Sequence, residues 1–186
     1  MSAIVNSLPY TGYGIDASGY FTGVIGLKFP TLWLGTSGSE VQQPTAGPSI
    51  AGGATLTLVE ATHNGKLIKL DTAASSIVTL PTSTGNGARY RFIVSVLATS
   101  NSHIVKVGNA TDVFRGLVFT MDDTAANAEA YATGSTSDTI TLNRTTTGSV
   151  SLGEYIDVED FAAGFFRVLG HISNSGSSAT PFSATV

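Results

Sequence analysis

From Ala54 onward, short runs of β-branched and aromatic residues alternate with polar ones, and turn residues separate the runs. Leu56 and Leu58 alternate with Thr55 and Thr57, and Ile68 and Leu70 with Lys69 and Asp71. The clearest run is ARYRFIVSV: Tyr90, Phe92, Val94 and Val96 fall on one face, Arg89, Arg91 and Ser95 on the other. Successive side chains of a strand point to opposite faces, so this period of two marks a strand with one face buried. Further strands are predicted at 104–107, 113–121, 139–143, 155–159 and 165–172. STGNG at 83–87 supplies the residues that tolerate positive φ in a tight turn. The one candidate helix, DDTAANAEAYA at 122–132, reads equally well as a loop. Runs spaced by roughly eight to twelve residues predict an all-β body, an antiparallel β-sandwich or jelly roll over 54–186. No internal repeat of fixed period is present, which argues against a β-solenoid.

Residues 1–53 follow a different pattern. Only Asp16, Lys28 and Glu40 carry charge there, while Tyr10, Tyr13, Tyr20, Phe21, Phe29 and Trp33 are interleaved with glycines. The segment has too many aromatics for an ordinary disordered tail and too many glycines to build its own core. It reads as an extended N-terminal arm whose aromatics bury against another surface, a strap docking on a neighbouring subunit. GTSGSEVQQPTAGPSIAGG at 35–53 reads as the linker to the body.

Composition sharpens this picture. Charged residues make up 12 % of the 186, about half the ~25 % of a typical soluble domain. Ser, Thr and Gly take their place, as suits a β-rich protein whose outer faces are packed or shared between subunits. The net charge is −4 and the nine Lys and Arg are scattered singly from Lys28 to Arg167, which argues against a nucleic-acid partner. Without Cys there is no disulfide framework, thiolate zinc site or cysteine nucleophile, in keeping with folding in a reducing cytoplasm. MSAIVNSLPY lacks the features of a secretion signal, and Pro9, Asp16 and the glycines break residues 1–27 as a membrane span. The expectation is a soluble protein with no membrane partner.

Candidate chemistry is sparse. His63, His103 and His171 lack ligand-like spacing and read as surface or cross-strand positions. Asp157, Glu159 and Asp160 invite a calcium site, but Asp157 and Glu159 alternate with Ile156 and Val158, which puts both on the solvated face of a strand. Asp122 and Asp123 read as a turn or cap. GTSGS at 35–39 fails as a nucleophile elbow, and Gly85 with Gly87 is too short for a phosphate loop. Glu154, Asp157, Glu159 and Asp160 are the candidate carboxylates for a polysaccharide hydrolase or lyase, which would need an aromatic-lined groove. Asn109 and Asn143 match the glycosylation sequon. Arg89 and Arg91 suit either an anionic partner or salt bridges within or between subunits. The residues therefore predict no catalytic group, no metal and no cofactor.

VTLPTSTGNGARYRFIVSV (78–96) and SDTITLNRTTTGSVSLGEYIDVEDFAAGFFRVLGHI (137–172) resemble a group of small structural proteins of tailed bacteriophages. There, an LP…TG.GA.YRF segment precedes D.I.LN.TTTG, a Gly-then-acidic turn and an aromatic strand ending in Gly; ATPFSATV (179–186) is similar as well. The likeness covers most of 76–186, rests on turn and strand residues, and does not extend to the arm. It implies a capsid decoration (cement) protein with a β-sandwich or jelly-roll body, commonly a homotrimer, on the outer surface of the virion head. The partner implied is the major capsid protein, with the six arm aromatics as the capsid-binding residues and synthesis in the host bacterial cytoplasm. A head- or tail-fibre module binding a receptor or glycan is the alternative, with Tyr90, Tyr131, Tyr155 and Phe161 as its candidate aromatics.

Overall fold

A computed structural model describes residues 49–186 and four two-residue strands before them: Gly14–Ile15 (β1), Phe21–Thr22 (β2), Leu32–Trp33 (β3) and Glu40–Val41 (β4). β1 pairs antiparallel with β2, and β3 with β4. Of the six arm aromatics, Phe21 and Trp33 fall in these strands, and Tyr10, Tyr13, Tyr20 and Phe29 lie outside the described residues. The chain divides into two units, Met1–Thr45 and Ala46–Val186.

The second unit is a sandwich of two mixed sheets. Its strands are β5 (Ile50–Ala51), β6 (Thr55–Thr57), β7 (Lys66–Leu70), β8 (Ile77–Thr79), β9 (Arg89–Val94) and β10 (His103–Lys106). They are followed by β11 (Val113–Asp122), β12 (Ala128–Ala132), β13 (Thr139–Leu142), β14 (Tyr155–Ala162), β15 (Phe165–Asn174) and β16 (Phe182–Ser183). One sheet has the order β12-β11-β15-β14-β9-β7-β5, the other β16-β13-β10-β8-β6. Ile50–Ala51, which its Gly-rich surroundings assign to the linker, is thus an edge strand of the body.

Strand direction departs from the antiparallel expectation. From β5 to β10 the chain crosses between the sheets at every step, so β5, β7 and β9 run parallel in one sheet and β6, β8 and β10 in the other. This is a short solenoid-like winding. Its coils are unequal: Ile50 pairs with Ile68 and Ile68 with Phe92, steps of 18 and 24 residues, while Leu56, Val78 and Val105 are 22 and 27 apart. No repeat of fixed period marks it because the loops between strands differ in length. β13 then pairs antiparallel with β10 and β16 with β13, β14 antiparallel with both β9 and β15, while β11 lies parallel to β15.

The alternation read from the sequence sorts side chains between core and outside. Tyr90, Phe92 and Val94 of β9, Ile156 and Val158 of β14, and Phe166, Val168 and Ile172 of β15 are buried. They form one cluster with Ile68, Leu70, Val78, Val105, Phe114 and Ile140. Val96 does not join its expected face: β9 stops at Val94, and Val96 is 36 % exposed. The candidate helix at 122–132 is instead the end of β11, a loop and β12. Asp122 shapes that loop, its Oδ1 accepting from the amides of Thr124 and Ala125. Among the described residues the one α-helix is Glu60–His63 (α1), and no helix is long and apolar enough to cross a membrane.

Candidate functional site

The outer face of the seven-stranded sheet gathers most of the chemistry-bearing side chains. Because β9, β14 and β15 alternate strictly, Arg89 and Arg91, Asp157 and Glu159, and Arg167 and Leu169 stand outward in adjacent columns. The register sets Arg91 opposite Asp157, and Arg89 opposite Glu159 opposite Arg167. Arg91 grips Asp157 with two bonds, Nε to Oδ1 and Nη2 to Oδ2, both 2.6 Å. Arg89 donates through Nε and Nη2 to Glu159 Oε1 at 3.0 and 2.7 Å, and Arg167 Nη2 lies 2.5 Å from Oε2. Arg89 and then Arg167 hold Glu159 below the usual carboxylate range, and the bond to Asp157 raises the pKa of Arg91. The Arg91 guanidinium also lies 5.0 Å from the centre of the Tyr155 ring. The three arginines, Asp157 and Glu159 line an open groove of about 450 Å³ with Lys66, Leu67 and Leu169. Each arginine is engaged by a carboxylate of the same sheet, but three arginines share two carboxylates and Lys66 also lines the groove, so it keeps an excess of positive charge. The inter-strand salt bridge is the reading of Arg89 and Arg91 that the geometry bears out.

On one side of this ladder the face turns apolar. Phe119, Met121 and Leu169 are 49, 43 and 44 % exposed. Beside them runs the edge strand β12, whose Ala128, Ala130 and Ala132 lie opposite Met121, Phe119 and Leu117. Phe161 and Phe165 form a second exposed pair, ring centres 6.2 Å apart, with Arg115 over the Phe165 ring at 5.2 Å. Alternation alone does not reveal this patch, because an apolar residue on the outer face of a strand reads as core unless its partner sheet is known.

The other candidate residues disperse. Asp160 turns inward from Asp157 and Glu159, so the acidic run does not converge on one point. Asp160 Oδ1 accepts from the Ser83 hydroxyl at 2.7 Å and the Gly85 amide at 2.8 Å, and Oδ2 from the Thr84 amide at 2.8 Å. STGNG thus serves to wrap a buried carboxylate. Glu154 is also buried, accepting from the amides of Ser149, Val150 and Ser151. Burial raises its pKa against the pull of those amides.

His103 is fully buried, its Nδ1 accepting from the Ser76 amide and its Nε2 donating to the Val96 carbonyl; burial lowers its pKa. His63 closes α1 against Val59, and His171 faces outward opposite Tyr155. Among the described residues, no group of three or more His, Cys, Asp or Glu is placed to hold a metal ion. Both sequon asparagines are engaged in their own loops. Asn109 Oδ1 accepts from the amides of Thr111 and Asp112, and Asn143 Oδ1 from those of Thr145, Thr146 and Thr147.

Of the aromatics considered for glycan stacking, Tyr155 is covered by Arg91 and Tyr131 bonds Glu129 and Ser178. Tyr90 is buried with an unpartnered hydroxyl, and burial, aided by Glu60 and Asp160, pushes its pKa up to about 12. Phe161 is exposed and lies beside the Phe165 ring. No protein-family model, curated protein or solved structure matches this chain.

Proposed function

We propose that this chain is a structural protein of a bacteriophage virion, a capsid decoration (cement) protein that stabilises the head by clamping neighbouring major capsid subunits. The observation that carries this reading is the outer face of the seven-stranded sheet. It exposes Phe119, Met121, Leu169, Phe161 and Phe165 while its arginines Arg89, Arg91 and Arg167 are paired with Asp157 and Glu159 within the sheet. Such a face suits burial against protein better than turnover of a small substrate. The resemblance of 76–186 to phage structural proteins supplies the biological setting, and the body has the sandwich architecture which that resemblance implies.

On this reading the protein is a non-enzymatic homotrimer on the outer capsid surface, made in the host cytoplasm. The arm aromatics Tyr10, Tyr13, Tyr20, Phe21, Phe29 and Trp33 engage the shell. Six such side chains bring a gross contact of ~1,000 Å² per copy, and three linked arms multiply a modest single affinity.

The test is the copy number of this protein in purified virus particles, measured by quantitative mass spectrometry against the major shell subunit. A number comparable to the shell subunit is expected, and deletion of residues 1–48 should abolish binding to undecorated shells. A handful of copies would move the protein to a fibre or tail, and none would overturn the reading.

A further inference from the structure

We infer that the apolar end of the seven-stranded sheet, over β12, β11 and β15, is the surface on which a second copy of this chain docks. The patch has the right size. Phe119, Met121 and Leu169 are each nearly half exposed. With the alanines of β12 they uncover on the order of 400 Å², comparable to the largest patch of a typical monomer, ~300–600 Å². Two such patches with their polar rims reach ~1,200 Å², the lower bound for a specific interface.

The relief of the patch favours a copy of itself as occupant. Phe119 and Met121 stand as a raised row on β11, and Ala130 and Ala128 form a low shelf directly beside them on β12. A surface that carries both a ridge and an adjoining shelf can seat the ridge of one copy on the shelf of the next, in either an isologous or a ring-forming arrangement. Charge raises no barrier. Phe119, Met121, Leu169 and the alanines of β12 carry no charge, so two copies meet through the patch without like charges in direct contact. The alanines of β12 also lie at a sheet edge with no described strand beyond them, so docking there shields an exposed edge.

This inference rests on the reading of the protein as self-associating, and its test needs no shells. The mass of the full-length protein in solution is measured by light scattering after gel filtration, for the native chain and for Phe119→Asp and Ala130→Glu. Val59→Asp, at an exposed position between β6 and β7 and so at the opposite side of the sandwich from β12, serves as the control. The native chain and the control are expected at a multiple of the single-chain mass, and both patch variants at the single-chain mass with unchanged circular dichroism. Ala130→Glu keeps the test open if Phe119→Asp does not fold, because Ala130 is an exposed edge position with little packing to lose. A native chain at single-chain mass overturns the proposal, as do folded patch variants that stay assembled. A chain that assembles through this face but ignores shells overturns the decoration reading and leaves the interface standing.

Discussion

Asp160 is 3 % exposed and still carries charge at neutral pH. Burial alone raises its pKa, but the Thr84 amide, the Ser83 hydroxyl and the Gly85 amide outweigh that and hold it below the usual carboxylate range. A folded-state pKa below the unfolded one means that stability is present above the unfolded value of ~3.9 and is lost as pH falls through the folded value. Glu154 works in the opposite sense: its raised pKa favours the protonated form in the fold, so its ionisation costs stability as pH rises through its titration. We predict that Asp160→Asn destabilises the body by about 3 kcal/mol at neutral pH, since an amide replaces an ionised acceptor facing several donors. The variant should also lose part of the native decline in stability below pH 4, as read from urea unfolding across the acid range. An unchanged acid slope would mean that other carboxylates govern it.

The same residues explain why the sequence motifs look specific and yet name no chemistry. Asp160 and Ser83 lie 77 residues apart and Asn143 braces TTTG at close range, so these motifs are recipes for locked loops. Local braces such as Asn143 can be anticipated from the preference of Asn for its own downstream amides. The inward turn of Asp160 follows from the period of two that also buries Ile156 and Val158, but its wrapping by Ser83, 77 residues away, leaves no local mark.

Elements show the same division. β9, β14 and β15 announce themselves because each has one wet face and one dry face, and alternation survives in the residues. The parallel winding from β5 to β10 does not, since parallel pairing is a matter of which sheet a strand returns to and leaves no local mark. β12 reads as helix or loop because AEAYA lacks β-branched residues; its strand form is imposed by pairing with β11. β11 owes its own fit against β15 to Gly116, which has φ +144° and whose absent Cβ would sit 1.9 Å from the Val168 carbonyl oxygen. No side chain can be accommodated without parting the two strands. Gly116→Ala should cost more than ~3 kcal/mol, beyond the usual ~0.5–3 for a point change, because strain at a positive φ adds to a backbone clash. Thermal unfolding checks it: loss of only a degree or two would mean that β11 can slide on β15 without breaking the sheet.

For the whole molecule, the strands of both sandwich sheets lie within Ala46–Val186, and the hydrophobic cluster runs from Leu58 to Phe182 with Ile50 packed against it. A body of this size buries roughly two thirds of its unfolded surface, which suffices for a cooperative unit. Residues 46–186 alone are therefore predicted to unfold in one transition, with a midpoint within ~4 °C of the full chain, a difference worth about 1 kcal/mol. On the proposed function the same truncation removes the shell-binding aromatics, so it should separate two properties that most substitutions change together. Differential scanning calorimetry and shell co-sedimentation, run on one preparation, read both. Intact unfolding with lost sedimentation is the expected pair. A truncated protein that unfolds broadly or precipitates would show that residues before Ala46 belong to the folding unit. One that unfolds normally and still sediments would move shell binding from the arm to the face of the seven-stranded sheet.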